Sequence, residues 1–196
     1  MSTARLETFA DGVFAIAATL LILNVDGAHG TLKSIWPSYV AYAASFLTIG
    51  IIWVNHHTVL NQFAHVDRRF LFINIVLLMC VAFVPFPTRL IAEHVRGEGL
   101  EGPAVVYGAT MVSTALSYLT LWLYGVRHLL RPDADPRLIR GITRSFIPGA
   151  WIYLAATLIA FASPLASVVG FGLIALFYVV ESSLFGGRSP SSTTPT

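Results

Sequence analysis

Six long apolar stretches, separated by short polar connectors, set the pattern of this chain. A transmembrane helix needs about 20 mostly apolar residues to cross the bilayer core, and each stretch is close to that length or longer. We therefore predict an all-α membrane protein with six transmembrane helices per subunit. The stretches are Phe9–Val25, Pro37–His57, Phe70–Ala92, Pro103–Leu130, Thr143–Ser163 and Leu165–Phe185.

Prolines indicate where two of these helices begin or bend. Pro85 and Pro87 remove backbone donors within the third stretch, so its helix should kink or end near Ala82–Phe86. Pro37 suits the first turn of the second helix, with Ser34 upstream as a possible N-cap.

The ends of the chain are too short to fold alone. Residues 1–186 are predicted to form one six-helix transmembrane domain, and residues 187–196, rich in Ser, Thr and Pro, a disordered tail. Asp11 and Asn24 interrupt the first apolar stretch, and only the weak site Ala28-His29-Gly30 follows it. We therefore interpret this stretch as a retained helix rather than a cleaved signal peptide.

Composition agrees with a membrane protein and gives its orientation. Apolar residues make up 56% of the chain and charged residues 11%, whereas a soluble domain carries about 25% charged residues. With six spans, nine of the twelve basic residues fall on the side of both termini, which the positive-inside rule assigns to the cytoplasm. They are Arg5, Arg68, Arg69, Arg127, Arg131, Arg137, Arg140, Arg144 and Arg188. The pI near 8.9 reflects this asymmetry and does not indicate nucleic-acid binding.

The first stretch carries one apolar stripe with a carboxylate behind it. At about 100° per residue, six side chains fall within about 100° of arc on one helix face. They are Phe9, Gly12, Ile16, Thr19, Leu20 and Leu23. Asp11 lies about 140° from Ile16, on the opposite face. Spacing alone leaves open whether the stripe faces lipid, packs inside the protein or has a function. Asp11 needs a polar partner or an interfacial position, because a charge within a bilayer is costly.

Candidate partners for Asp11 cluster in the second stretch. They are Trp53, Asn55, His56 and His57. One interpretation is an interfacial belt at the cytoplasmic end of that helix, where Trp53 and His57 share a face. The other is a buried network in which Asp11 accepts hydrogen bonds from Asn55 or a histidine, because both clusters lie near the cytoplasmic ends of their helices. Asn74 in the third stretch could join such a network.

The start of the first helix resembles the signature of the endosomal/lysosomal potassium channel family (transmembrane protein 175) in its bacterial form. It reads Arg5-x-x-x-Phe9-Ala10-Asp11-Gly12-Val13-Phe14-Ala15-Ile16, against the family's R-x-x-x-F-S-D. Ala10 replaces the serine of that motif, which removes one hydroxyl from the network. The second helix is also similar to that of the family, at Trp53-x-Asn55-His56-His57. The six-helix layout matches a bacterial subunit over essentially the whole chain.

The resemblance implies a homotetramer in which the four first helices surround a central pore. The pore-lining positions that carry over are Ile16, Thr19, Leu20 and Leu23, with Ile16 at the main hydrophobic constriction. The signature residues that hold the helices together carry over as Arg5, Phe9 and Asp11, with Trp53, Asn55 and His57 as partners. The function implied is a potassium-permeable cation channel of the bacterial plasma membrane, surrounded by lipid, with no cofactor other than the permeant potassium ion.

The chain has no Thr-Val-Gly-Tyr-Gly loop and no re-entrant segment between its apolar stretches, which excludes selectivity by a ring of backbone carbonyls. Rings of four Ile16 and four Leu23 side chains would make a hydrophobic constriction that can gate by dewetting. Thr19 hydroxyls between these rings could replace part of the hydration of a potassium ion. Each hydroxyl could instead bond back to the carbonyl of Ala15. We expect modest selectivity for potassium over sodium.

A proton- or ion-coupled secondary transporter is the main alternative, with Asp11 and the second-helix histidines as a relay. A membrane hydrolase with His56 and His57 as metal ligands is disfavoured, because adjacent histidines point about 100° apart on a helix. Zinc sites on a helix prefer the i, i+4 spacing instead. A non-conducting structural protein is the remaining alternative. We therefore predict no metal site and no enzyme activity.

Overall fold

The computed structural model describes residues 3–25 and 32–185, so the predicted tail at 187–196 lies outside the described residues. Within these ranges the chain forms seven α-helices joined by short links. They are α1 (Thr3–Leu20), α2 (Leu32–Leu60), α3 (Arg68–Phe83), α4 (Pro85–His94), α5 (Glu101–His128), α6 (Pro136–Ile159) and α7 (Pro164–Phe185). A turn of 3-10 helix, Leu21–Asn24, continues α1.

Five segments of the described chain are long and apolar enough to cross a membrane, and α3 with α4 forms one of them. α7 is a further apolar helix of 22 residues, whose apolar part at Pro164–Val180 is shorter than these five spans. In the described ranges the β pairing is limited to an isolated bridge between Phe63 and Leu130, which joins the α2–α3 link to the end of α5. The predicted all-α membrane fold is confirmed.

The predicted bend in the third span is also confirmed. The helix is interrupted at Val84, whose backbone N–H bonds to the carbonyl of Val81, three residues back. Pro85 and Pro87 then occupy the first turn of α4, where their missing N–H groups have no helical partner to lose. The proline pair therefore divides one span into α3 and α4.

Helices α1 and α6 begin well before the apolar stretches that predicted them. α1 begins at Thr3 rather than Phe9, and α6 begins at Pro136 rather than Thr143. Hydropathy marks the part of a helix that lies in hydrocarbon, whereas charged residues continue the same helix into the interface and the water beyond it. The length of an apolar stretch therefore predicts the membrane span but underestimates the length of the helix.

The predicted start of the second helix is wrong for a similar reason. α2 begins at Leu32, so Ser34 lies inside the helix and is not its N-cap. Pro37 lies in the second turn of α2 instead of opening it. Prolines are tolerated within membrane helices because neighbouring groups satisfy the backbone carbonyls that they leave without a donor.

The packing of the bundle leaves α1 at one side of it. α5 packs against α3, α4 and α6, and α7 packs against α2 and α6. A Cβ atom at Gly108 of α5 would lie 2.1 Å from the Thr157 hydroxyl of α6, so only glycine allows these helices to approach so closely. α1 packs mainly against α2 and α3. The rest of its surface is outside the subunit core.

Candidate pore-lining helix and its supports

One face of α1 is buried within the subunit. Its buried side chains recur at the three- and four-residue spacing of a helix face. They are Leu6, Ala10, Phe14 and Ala17, followed by Leu21 in the 3-10 turn. Ala10, which replaces the serine of the family signature, is fully buried. A hydroxyl there would need a buried partner, and its absence lets α1 pack directly on its neighbours.

The predicted stripe lies on the other face, outside the subunit core. Among its large side chains, Phe9 is 58% exposed, Ile16 62% and Leu23 75%. Gly12, Thr19 and Leu20 are exposed as well. A continuous exposed apolar strip of this kind is a surface that meets lipid or another copy of the protein.

The 3-10 turn changes the direction of the last stripe residue. A 3-10 helix has three residues per turn, so side chains three residues apart lie one above the other. The turn that begins at Leu21 therefore rotates Leu23 toward the direction of Leu20, from which a continuous α-helix would separate it by about 60°.

Thr19 is the one hydroxyl of the stripe. Its Oγ1 donates to the backbone carbonyl of Ile16 at 3.0 Å, one residue closer than the Ala15 carbonyl considered from the sequence. The proton of the hydroxyl is used in this bond, and the lone pairs of the oxygen remain available as acceptors. The Thr19 hydroxyl oxygen therefore lies on the exposed face of α1 as a hydrogen-bond acceptor, which is also the kind of atom that coordinates cations.

Asp11 is held by the second helix. Trp53 Nε1 donates to Asp11 Oδ1 at 2.7 Å. Trp53 was among the candidate partners from the sequence, and the donor is its indole rather than Asn55 or a histidine of the buried network that was considered. Both side chains are exposed, so this contact lies at the surface of the α1–α2 pair.

A second contact lies one turn away and was missed from the sequence. The carboxylate of Glu7 meets His57 Nδ1. Glu7 and Asp11 are four residues apart, as are Trp53 and His57, so two antiparallel helices bring the four side chains together as two pairs. The matching i, i+4 spacing on both helices was the signal that could have identified Glu7.

His56 is buried behind α1. Its Nε2 lies 2.7 Å from Asn74 Oδ1 of α3, and its ring lies 5.4 Å from the ring of Phe14. Nε2 therefore donates, because the amide oxygen can only accept. Asn74 thus joins the polar groups near α1, but through His56 rather than through Asp11. One histidine of the pair supports α1 from inside the subunit and the other from its surface.

Three of the proposed signature residues are not joined to these contacts. Asn55 points away from α1 and lines a groove between α2 and α6. Arg5 is exposed, and within the described ranges it makes no ion pair. Phe9 belongs to the exposed stripe rather than to the contacts between the helices.

Acidic and histidine side chains are paired near α1, but they do not form a metal centre. In the part of the chain that the structure describes, no group of three or more His, Cys, Asp or Glu side chains could hold a metal ion. The polar contacts instead fix the rotation of one helix relative to its neighbours.

The described chain is an all-α polytopic membrane protein whose first helix keeps an apolar stripe outside the subunit core. The family model of the endosomal/lysosomal potassium channel TMEM175 matches residues 5–85, which comprise α1, α2 and α3. The chain belongs to this family of ion channels, which are not enzymes.

Related proteins match nearly the whole chain. A potassium channel of Streptomyces collinus is 43% identical over 185 residues, which cover 89% of this chain and 90% of that protein. The crystal structure of a lysosomal potassium-selective channel TMEM175 homolog from Chamaesiphon minutus matches with a TM-score of 0.82 and 35% identity, over 92% of this chain and 97% of that one. The endosomal/lysosomal proton channel TMEM175 of Mus musculus is 32% identical over 83% of this chain, which spans 36% of that protein.

Proposed function

We propose that this protein is a potassium-permeable channel of the bacterial plasma membrane, formed by four copies with their α1 helices around a central pore. The observation that carries the proposal is the apolar stripe of α1, which lies outside the subunit core in a chain of a potassium channel family. The bacterial relatives named as potassium channels, which this chain matches along nearly its full length, support it.

Ile16 forms the constriction in this proposal. Four copies of an exposed, branched apolar side chain at one level of a pore exclude water, and an ion cannot cross a dry segment without losing its hydration. Leu20 and Leu23 continue the apolar column beyond Thr19. The four Thr19 oxygens between these apolar levels supply acceptors to a partly dehydrated potassium ion, so no cofactor is required.

The orientation follows from the basic residues. Both termini lie in the cytoplasm, because nine of the twelve basic residues belong to that side of a six-span chain. The contacts of Glu7 with His57 and of Asp11 with Trp53 then lie at the cytoplasmic end of the pore helix. They hold the stripe toward the pore axis without lining the pore themselves.

Substitution of Ile16 tests the pore directly. Ile16→Asn should wet the constriction and raise potassium conductance, by about tenfold for each 1.4 kcal/mol removed from the barrier. Ile75→Asn is the matched control, because Ile75 is also an exposed isoleucine but lies on α3. Both variants are compared with the unmodified protein by current recording in liposomes. Equal conductance in all three would contradict the position of Ile16 at the narrowest point.

A coupled transporter remains the second candidate, favoured by the carboxylate–histidine contact between Glu7 and His57. A channel gives a current that follows the ion gradient without saturation, whereas a coupled transporter gives saturable flux that responds to a pH gradient at fixed potassium. Flux through purified protein in liposomes, measured with the potassium and pH gradients varied separately, distinguishes the two. Absence of current with either potassium or sodium would exclude the channel.

A further inference from the structure

A groove with a volume of about 550 Å³ lies on a different side of the subunit from the stripe of α1. α2 and α6 form its two walls, with α5 between them and α7 contributing Ala175 and Tyr178. No residue of α1 lines it. The volume is within the range of about 300–1,000 Å³ that is common for sites of small amphipathic ligands.

The walls of the groove are mainly apolar. Ile51, Ile142, Met111 and Phe146 are among the side chains that line it. Its threonines do not need a ligand, because their hydroxyls bond to helix carbonyls four residues back. These bonds run from Thr48 to Ala44, from Thr58 to Val54 and from Thr114 to Thr110, at 2.8 to 3.0 Å.

Three polar side chains of the groove have no such partner. The Asn55 amide makes no hydrogen bond within the described part of the chain, although it lies on the wall of the groove. Tyr118 is 7% exposed, and its buried hydroxyl has no partner among the described residues. The guanidinium of Arg137 makes no ion pair within the described ranges. Tyr118 is the buried one of the three, and an unpaired buried polar group costs about 1–3 kcal/mol, so its hydroxyl indicates an occupant with polar atoms. Arg137 is exposed and Asn55 is half-buried, so both are open to such an occupant.

The charge of the groove lies at one end. Arg137 belongs to the first turn of α6, where that helix emerges from its N-cap at Asp135. Arg140 and Arg144 follow at helical spacing on the same side of α6 and are exposed. Asn55 and Thr58, at the end of α2, line the groove together with Arg137. The groove is therefore apolar along its length and basic at its mouth.

An apolar channel in the membrane with an arginine at its mouth is complementary to an anionic lipid. We propose that this groove binds one anionic phospholipid per subunit, with the phosphate at Arg137 and one acyl chain between α2 and α6. Arginine holds a phosphate through two parallel N–H donors, and basic residues at the end of a span select anionic headgroups. The Asn55 amide lies beside the headgroup region, and the Tyr118 hydroxyl on the floor donates to an oxygen of the lipid or to a water that enters with it.

Gly141 provides a direct means of closing the groove. It lines the groove, and a Cβ atom built on it would meet no other atom within 4 Å. Gly141→Leu therefore places a side chain in the space of the acyl chain without a clash within the subunit. Gly172→Leu on α7 is the matched control, because a Cβ atom there also meets nothing within 4 Å and Gly172 does not line the groove.

Lipid retention by the purified full chain tests the proposal. Native mass spectrometry in detergent compares phosphatidylglycerol with phosphatidylcholine of the same acyl chains. We expect about one phosphatidylglycerol per subunit and weaker retention of phosphatidylcholine. Arg137→Gln should weaken the binding of phosphatidylglycerol about tenfold, as expected for a lost charged hydrogen bond, and should remove the preference for it. Arg140→Gln removes the same charge from a residue outside the groove lining and should retain the preference.

The glycine variants distinguish a lipid from other occupants. Gly141→Leu should release both lipids while the oligomer and the helical content stay unchanged, and Gly172→Leu should bind as the unmodified protein does. Equal effects of Arg137→Gln and Arg140→Gln, or full lipid retention by Gly141→Leu, would overturn the proposal. A smaller oligomer in Gly141→Leu alone would also overturn it, because the groove would then be a contact between copies of the chain. None of these measurements depends on ion conduction.

Discussion

The side chains of α1 divide between a buried face and an exposed face of the helix. Ala10 and Ala17 are small enough to be buried against α2 and α3, whereas Ile16 and Leu23 remain exposed. Asp11 reaches an indole N–H at the surface, which satisfies one carboxylate oxygen without burying the charge. The sequence predicted the stripe because side-chain direction depends only on helical period. It named Trp53 as one of several candidate partners of Asp11 but could not choose between them, because only the register of α1 against α2 selects one donor.

Thr19→Val tests the role of the hydroxyl at the residue scale. Valine keeps the branched shape of threonine and removes the oxygen that would accept a potassium ion, so the potassium-to-sodium permeability ratio should fall toward one. Reversal potentials in liposomes with potassium on one side and sodium on the other measure this ratio. Thr120→Val on α5 is the control, since Thr120 is also exposed and back-bonded, to Leu116. An unchanged ratio in Thr19→Val would exclude the hydroxyl from selectivity.

At the scale of helices, apolar length located the spans and the proline pair located the break at Val84. Helix ends were predicted less accurately. Charged residues extend α1 and α6 beyond the hydrocarbon, and their low hydropathy does not mark them as part of a helix. The groove between α2 and α6 could not be predicted from the sequence. It depends on how far apart two helices lie, and a residue such as Gly141 has the same appearance in a sequence whether it faces a neighbour or a space.

The start of α3 depends on Asp67, which is its N-cap. One carboxylate oxygen accepts from the backbone N–H of Phe70 at 2.8 Å, and the other accepts from the Tyr124 hydroxyl of α5. These bonds, that of Phe70 first, lower the pKa of Asp67 below its ordinary value of 3.8. A carboxylate with a lowered pKa contributes stability that is complete above its unfolded pKa and is lost as the pH falls through its folded pKa.

Asp67→Ala should therefore destabilise the protein by about 1 kcal/mol at neutral pH, the usual value of an N-cap. The difference from the unmodified protein should shrink as the pH falls below the ordinary pKa of 3.8 and through the lowered pKa of Asp67 in the folded protein. Thermal unfolding in detergent, followed by circular dichroism at neutral pH and over this acidic range, measures the difference. Asp133→Ala removes an equal charge from an exposed loop and should have little effect. A pH-independent loss in Asp67→Ala would show that its charge is not what stabilises the helix.

At the scale of the whole molecule, the apolar stripe of α1 lies outside the subunit core, and in the proposed channel it would meet the α1 helices of the other subunits. Native mass measurement of the purified protein in detergent should show a species of four 21.3 kDa chains. A closed ring leaves no α1 stripe without a neighbour, and the number of four follows from the proposed pore of four α1 helices. Monomers or dimers as the largest species would contradict a pore of four α1 helices.

Two contacts one turn apart, from Glu7 to His57 and from Asp11 to Trp53, attach α1 to α2 along a line parallel to the helix axis. A helix attached at two such points cannot spin about its own axis without breaking both contacts. The direction in which Ile16 points is thus decided inside each subunit, before any other subunit is present. In the ring that we propose, each subunit would already hold its α1 side chains in the orientation that the pore needs. Association would then cost less conformational entropy.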